Sequence, residues 1–334
     1  MAVPRTEAAE STRIDRFETR VTRLFGIRYP IVQGGLARIA RAELAAAVSN
    51  AGGLGQIAMA GIGTTPESMR AEIRKAKSLT RASFAVNFPI GHLSIEALLD
   101  VVMEEGVPAV SLTRGNPRPA IAHLAGSGIR ILVLVSGPEQ AKKAEQAGAH
   151  AVATVGYEGG GHLGRNDLTT FVGVPLVADA VRIPAIAGGG VADGRGLAAA
   201  LALGAEGVEI GTRFITVQEA HAHENYKRAL LRATNTTIVK RRLDQPGRAL
   251  ANRWTDDYLK AEADGTPRAD LLEMVGAKAN ERGVFFGDVD NSLLWAGQAA
   301  ALIEDIPTAK ELIDRMVLET RSRMRVVDAM TRLR

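Results

Sequence analysis

Between residues 28 and 212, short apolar or β-branched runs alternate with Ala-, Leu- and Glu-rich stretches of helical period, and this rhythm constrains the fold more than any other feature. The runs are YPIVQ (29–33), GLGQIAM (53–59), SFAVNF (83–88), PAVSLT (108–113), IRILVLV (129–135), AVATVG (151–156), PAIAG (184–188) and GVEIG (207–211), eight in all. Segments such as ARAELAAAVSNAG, TPESMRAEIRKAKSL and GPEQAKKAEQAG lie between them, several closing on a Gly suited to a left-handed helix cap. Eight βα units predict a (β/α)8 TIM barrel rather than an open doubly wound sheet. After residue 212 the rhythm breaks. Residues 216–298 read as helices and loops without a strand, and 299–331 as closing helices. The expected organisation is a disordered start (1–20), a barrel from 21–215 and 299–331, and a helical lobe (216–298) over the carboxyl ends of the strands, where barrel active sites sit.

Composition narrows the chemistry. Cysteine is absent from the 334 residues, which excludes disulfides, thiolate zinc sites, iron–sulfur ligation and a cysteine nucleophile. The first twenty residues mix both charges without an apolar run of signal-peptide length, and ILVLV is only as long as a core strand. A cytoplasmic protein without a membrane partner is therefore expected. Net charge is +4, the basic runs KRR (240–242) and RSRMR (321–325) read as solvated faces, and aromatics are 4%. A nucleic-acid surface needs a basic stripe with stacking rings, so the expected partners are a small-molecule substrate and at most a second copy of the chain.

Two glycine turns mark an anion site. The seventh run leads into AGGGVADGRG (187–196) and the eighth into GTRF (211–214). Gly188, Gly189 and Gly190, then Gly211, let backbone N–H groups approach a ligand, a helix starting near Asp193 points its positive end at an anion, and Thr212 adds a hydroxyl donor. One glycine cluster is equally well a tight turn. The second, one unit later, favours phosphate. After the sixth run comes GYEGGGHLG, in which Gly160 and Gly161 lead to His162, so the backbone packs against a planar ligand while an imidazole is held at the barrel mouth. Histidine suits proton transfer near neutral pH. His92, His123 and His150 read as solvated or packed side chains. Glu158 is placed to orient the imidazole or bind a ligand hydroxyl, or else is a surface carboxylate. His221 and His223 lack an acidic partner at zinc spacing, so no metal is expected, and His223 is assigned to the lining of the substrate lobe.

The order QGG (33–35), SNAGGLG (49–55), VNFP (86–89), GNP (115–117), EGGGHLG (158–164), PAIAGGGVADGRGLAAALALGAEGVEIGTRF (184–214) and GDVDNSLLWAGQAAALI (287–303) resembles the nitronate monooxygenase (2-nitropropane dioxygenase) superfamily. The resemblance implies a TIM barrel with non-covalent flavin mononucleotide (FMN). By position, Gly34, Gly35 and Leu36 lie against the isoalloxazine and Asn87 stands near the ring. Gly189, Gly190, Gly211 and Thr212 hold the phosphate, and His162 is the active-site histidine. QGG, GHLG…DLTTF and AHENYKRALLRA look more like the reductase branches, whose enzymes take hydride from NAD(P)H, than like the nitronate oxidisers. Leu36 stands where the family usually has Met, and the apolar Leu134 and Val155 replace a Lys and an acid of the quinone-reductase branch. The expected activity is NAD(P)H-dependent reduction of an activated C=C of enoyl-thioester type, with His162 donating or positioning the proton. Nitronate oxidation by O2, quinone reduction and a non-catalytic phosphate-ligand module are the alternatives.

Overall fold

The computed structural model describes residues 17–61, 65–91, 94–243 and 245–332. Most of the expected disordered start, and His92, lie outside the described residues. Among the described residues, nine strands precede residue 212: β1 (Ile31–Gln33), β2 (Gly55–Ala58), β3 (Phe84–Pro89), β4 (Ala109–Thr113), β5 (Arg130–Val135), β6 (Ala151–Val155), β7 (Gly161–His162), β8 (Ala185–Gly188) and β9 (Val208–Ile210). All but β7 form one parallel sheet in the order β1-β9-β8-β6-β5-β4-β3-β2. A parallel bridge between Val32 and Leu54, with 2.9 Å bonds from Leu54 N to Ile31 O and from Gln33 N to Leu54 O, joins the two edges. The sheet is a barrel, as the eight βα units predict, and each strand falls within its run except β3, which gains Pro89.

The period-two alternation of strands sorts the interior into two layers. At the amino end, Val32, Leu54, Ala85, Ala109, Leu132, Ala151 and Ile186 pack together with Val21, Phe25 and Ile27, so the opening helix Arg20–Phe25 plugs that mouth. Two residues further along three of these strands the inward positions turn polar: Gln56 follows Leu54, Asn87 follows Ala85, and Ser111 follows Ala109. All three are buried. The chain closes with helix Ala309–Thr331, whose Leu312, Ile313, Met316 and Val317 are buried and whose Thr320 hydroxyl donates to Gly194 O at 3.1 Å, beside helix Gly194–Ala202. No helix among the described residues is long and apolar enough to cross a membrane.

The expectation of a strand-free lobe is corrected. Residues 216–298 contain β10 (Thr236–Val239) and β11 (Gly247–Leu250), an antiparallel hairpin to which β7 adds in the register Gly247↔His162 and Arg248↔Gly161. The four-residue runs TTIV and GRAL on either side of KRRLDQP are too short to show a strand period. A two-stranded hairpin is marginal alone and depends here on long-range pairing. The lobe has its own small core of Val239, Leu243, Ala249, Tyr258, Leu271 and Leu293.

Gly55 opens β2 against the preceding helix, and a Cβ there would lie 1.9 Å from Ala45 O. Backbone cannot yield as a flexible side chain does, so Gly55→Ala is expected to cost about 3 kcal/mol by overpacking. Urea unfolding checks this; an unchanged midpoint contradicts the packing.

Candidate active site

The histidine loop is held from two sides. β11 fixes the backbone of His162, and Arg248 binds Tyr157 O through Nε (3.2 Å) and Nη2 (3.1 Å), pinning the start of the glycine run. From the other side comes the segment Trp295–Gly297. Trp295 bridges Ala249, and its indole lies 5.1 Å from the His162 ring at 42°. Gly160 touches this segment so closely that a Cβ would sit 2.5 Å from Gly297 N. The three consecutive glycines thus serve chain-to-chain contact as well as any ligand.

His162 is mostly buried, and its pKa falls from 6.5 to about 3. Burial is the main cause; the positive charges of Lys240 and then Arg114 add to it. Lys240 Nζ stands 5.9 Å from the centre of the Trp295 ring. Lys240 (φ 66°) and Arg114 (φ 63°) both adopt the left-handed conformation that side-chain-bearing residues avoid. Such strain costs on the order of 1–3 kcal/mol and persists where surrounding structure imposes it. Burial and these two positive charges therefore favour the neutral imidazole at neutral pH.

The glycine turns after β8 and β9 meet beside this loop. Gly188 ends β8, and Gly189 (φ 88°) and Gly190 (φ 75°) follow in the left-handed region. Asp193 caps the next helix, accepting from Arg195 N at 2.9 Å and Gly196 N at 3.3 Å, so its own carboxylate takes the place nearest that helix end. Gly211 precedes Thr212, whose hydroxyl accepts the Gly297 N–H at 2.9 Å. That leaves the hydroxyl proton of Thr212 for an acceptor such as a phosphate oxygen. Arg213 is buried and paired with Asp305 at 2.5 Å, anchoring this turn to the C-terminal segment.

The remaining predicted residues divide. Gly34 N donates to Ile210 O at 2.9 Å, and Leu36 Cδ2 lies against Gly211, so the QGG loop borders the same turns. Gly35 meets Asn87: a Cβ on Gly35 would fall 2.2 Å from Asn87 Oδ1. Glu158 points elsewhere. Its carboxylate accepts from Thr170 N (2.9 Å) and Thr170 Oγ1 (3.1 Å), capping helix Thr170–Ala180, and does not reach the imidazole. His223 serves as the cap of helix Glu224–Leu231, its Nδ1 accepting Asn225 N at 3.1 Å. Sequence reasoning missed Trp295, Lys240, Gly297 and Glu209. An isolated Trp followed by Ala-Gly in an aromatic-poor chain was the one available signal.

Glu209 on β9 is fully buried, and desolvation raises its pKa from 4.5 to about 7, opposed only by a hydrogen bond from Gln56. The carboxyl is one end of a chain of buried amides and hydroxyls. Gln56 Nε2 donates to Glu209 at 3.3 Å, Ser111 Oγ donates to Gln56 Oε1, and Asn87 Nδ2 donates to Ser111 Oγ at 2.8 Å.

Fold and site together define a (β/α)8 barrel whose glycine turns and neutral histidine converge at the carboxyl ends of its strands. The nitronate monooxygenase family model matches residues 18–96 and 91–319. A nitronate monooxygenase of Pseudomonas aeruginosa is 36% identical, covering 90% of this chain and 99% of that protein. The (3aS,4S,5R,7aS)-5-hydroxy-7a-methyl-1-oxo-octahydro-1H-indene-4-carboxyl-CoA dehydrogenase of Rhodococcus jostii is 33% identical, covering 95% and 98% respectively. FabK from Thermotoga maritima superposes with a TM-score of 0.88 at 36% identity, over 94% of this chain and 99% of that one. The chain belongs to the nitronate monooxygenase family and is an oxidoreductase.

The two shifted groups predict opposite pH effects on stability. His162 binds its proton more weakly folded than unfolded, so its contribution is present above pH 6.5 and is lost as pH falls towards 3. Glu209 binds its proton more tightly folded, so its contribution is present below pH 4.5 and is lost as pH rises through about 7. Glu209→Gln should therefore steepen the rise of Tm from acid to neutral pH, and His162→Gln should flatten or invert it. Parallel Tm–pH curves for both variants and the parent contradict these shifts.

Proposed function

We propose that the chain is an FMN-dependent oxidoreductase that takes hydride from NAD(P)H and reduces an activated C=C in an acyl thioester. FMN supplies the hydride transfer, chemistry that no side chain offers. The site fits its phosphate: left-handed Gly189 and Gly190, then Gly211 and Thr212, offer backbone N–H groups and a hydroxyl proton at neighbouring strand ends. Gly34, Gly35, Leu36 and Asn87 would border the ring on one side, and Gly160 and Gly161 on the other.

What favours this reaction class is that burial and the positive charges of Lys240 and Arg114 hold the His162 pKa far below its usual value, next to the Trp295 indole. When hydride reaches the β-carbon of an enoyl thioester, negative charge develops on the carbonyl oxygen. A fixed N–H donor and the field of Lys240 and Arg114 stabilise that charge without reorganisation. His162 thus acts as the positioning donor. At neutral pH it carries no imidazolium proton, so the α-carbon takes its proton from solvent. Support also comes from the R. jostii relative, whose substrate is a carboxyl-CoA. The same cations favour a second reading, oxidation of an anionic nitronate with O2, to which the P. aeruginosa relative corresponds.

Anaerobic mixing with NADPH separates the two. The proposal expects the flavin absorbance to bleach and to return on adding crotonyl-CoA. Flavin that stays oxidised under NADPH while an alkyl nitronate consumes oxygen refutes it. His162→Ala should keep FMN and lose about 100-fold or more in kcat, the scale of one removed oxyanion donor. Thr212→Val should raise the Kd for FMN about ten-fold or more, since a hydrogen bond to a charged group is worth about 1.5–3 kcal/mol. Parent-like turnover in the first variant, or parent-like FMN retention in the second, counts against the role assigned to that residue.

A further inference from the structure

We propose that Glu209 is a positioning residue that sets, through Gln56 and Ser111, which end of the Asn87 amide faces the ligand site. The four side chains come from β9, β2, β4 and β3 and are all buried, with exposures of 6%, 0%, 0% and 5%. Their hydrogen bonds run in one direction. An ionised carboxylate only accepts, so it requires the N–H end of Gln56. That turns Gln56 Oε1 towards Ser111, whose proton it takes, and leaves the Ser111 oxygen to accept Asn87 Nδ2. Asn87 Oδ1 is then the end that lies against Gly35, at the border of the site.

Protonation of Glu209 permits the reverse order. The carboxyl O–H donates to Gln56 Oε1, the flipped Gln56 amide donates to Ser111, Ser111 donates to Asn87 Oδ1, and Asn87 presents its NH2 to the site. Every member keeps its hydrogen bonds in either arrangement, so the two differ in polarity and not in packing. Each converts Asn87 between acceptor and donor at one fixed place. Burial and the Gln56 amide are the influences on the Glu209 carboxyl. Among the described residues no cation and no second acid shifts it, and its pKa of about 7 puts both arrangements within the physiological range. The strand residues that pack on Gln56 from β1 leave the chain intact: Gln33 Oε1 accepts the backbone N–H of Gln56 at 2.9 Å.

The inference concerns the site assigned above to FMN, and its primary test needs no ligand. With asparagine-selective 15N labelling, the side-chain NH2 signals of Asn87, assigned by their loss in Asn87→Ser, are followed from pH 5.5 to 8.5 in the FMN-free protein. The account expects these signals to titrate in the parent and to be pH-independent in both Glu209→Gln and Ser111→Ala. A parent without titration, or a Ser111→Ala protein that titrates like the parent, overturns the relay. Ser111→Ala retains Glu209, so it decides the question even if Glu209→Gln does not fold. A second readout is the Kd for FMN from flavin fluorescence, expected to change at least five-fold over the same range in the parent and to stay constant in both variants. Constant Kd in a parent whose Asn87 signals titrate overturns the claim that this amide faces the ligand. Absence of any FMN binding removes the proposed function instead, while the ligand-free titration still decides the relay.

Discussion

The antiparallel pairing of Gly161–His162 with Gly247–Arg248 is the contact on which the site depends. A barrel strand can place a loop at its carboxyl end, but it cannot dry that loop. The hairpin of the lobe shields it in part, leaving Gly161 and His162 half-buried and Gly160 exposed. By adding a third strand it holds His162 in fixed backbone geometry, and the chain that follows carries Trp295 back to cover the ring. The same return places Gly297 against Gly160 and Thr212, so one segment joins the histidine loop to the glycine turn after β9.

This partial burial sets the electrostatics. An exposed imidazole in GGGHLG would titrate near its ordinary value. Beside an indole and Lys240 its pKa falls, and the neutral form is favoured at neutral pH. Below it the barrel interior changes from alanines and leucines to Gln56, Asn87, Ser111 and Glu209, a layer whose polar atoms bond one another. A carboxyl there is costly when ionised, and the hydrogen bond from Gln56 offsets that cost only in part. The mouth therefore holds a base kept unprotonated and an acid kept partly protonated, both by burial. Their shifts have opposite sign because desolvation always opposes the charged form.

The barrel was legible in the sequence because parallel strands buried on both faces appear as short apolar runs, and helices between them carry their own period. The turns at the ends of β8 and β9 were legible for a related reason: residues without Cβ at strand ends leave few structural readings. The capping bonds of Glu158 and His223 were not, since a carboxylate or imidazole near a loop can serve as a helix cap or elsewhere, and only the folded chain shows which N–H each one takes. The hairpin β10–β11 escaped because β11 also pairs with β7, 85 residues earlier at Gly247↔His162, which no local pattern records. Glu209 was hidden inside GVEIG as the single polar residue of an apolar run, where its inward direction follows from barrel closure rather than from composition.

The central claim is that the lobe keeps His162 neutral. Ring 15N chemical shifts of His162, assigned by comparison with His162→Gln, test it directly between pH 5 and pH 8. The account predicts the pattern of a neutral imidazole across the whole interval, with one protonated and one bare nitrogen. Conversion to imidazolium with a midpoint near 6.5 would contradict it, because an imidazole that titrates there is neither desolvated nor under the influence of Lys240 and Arg114.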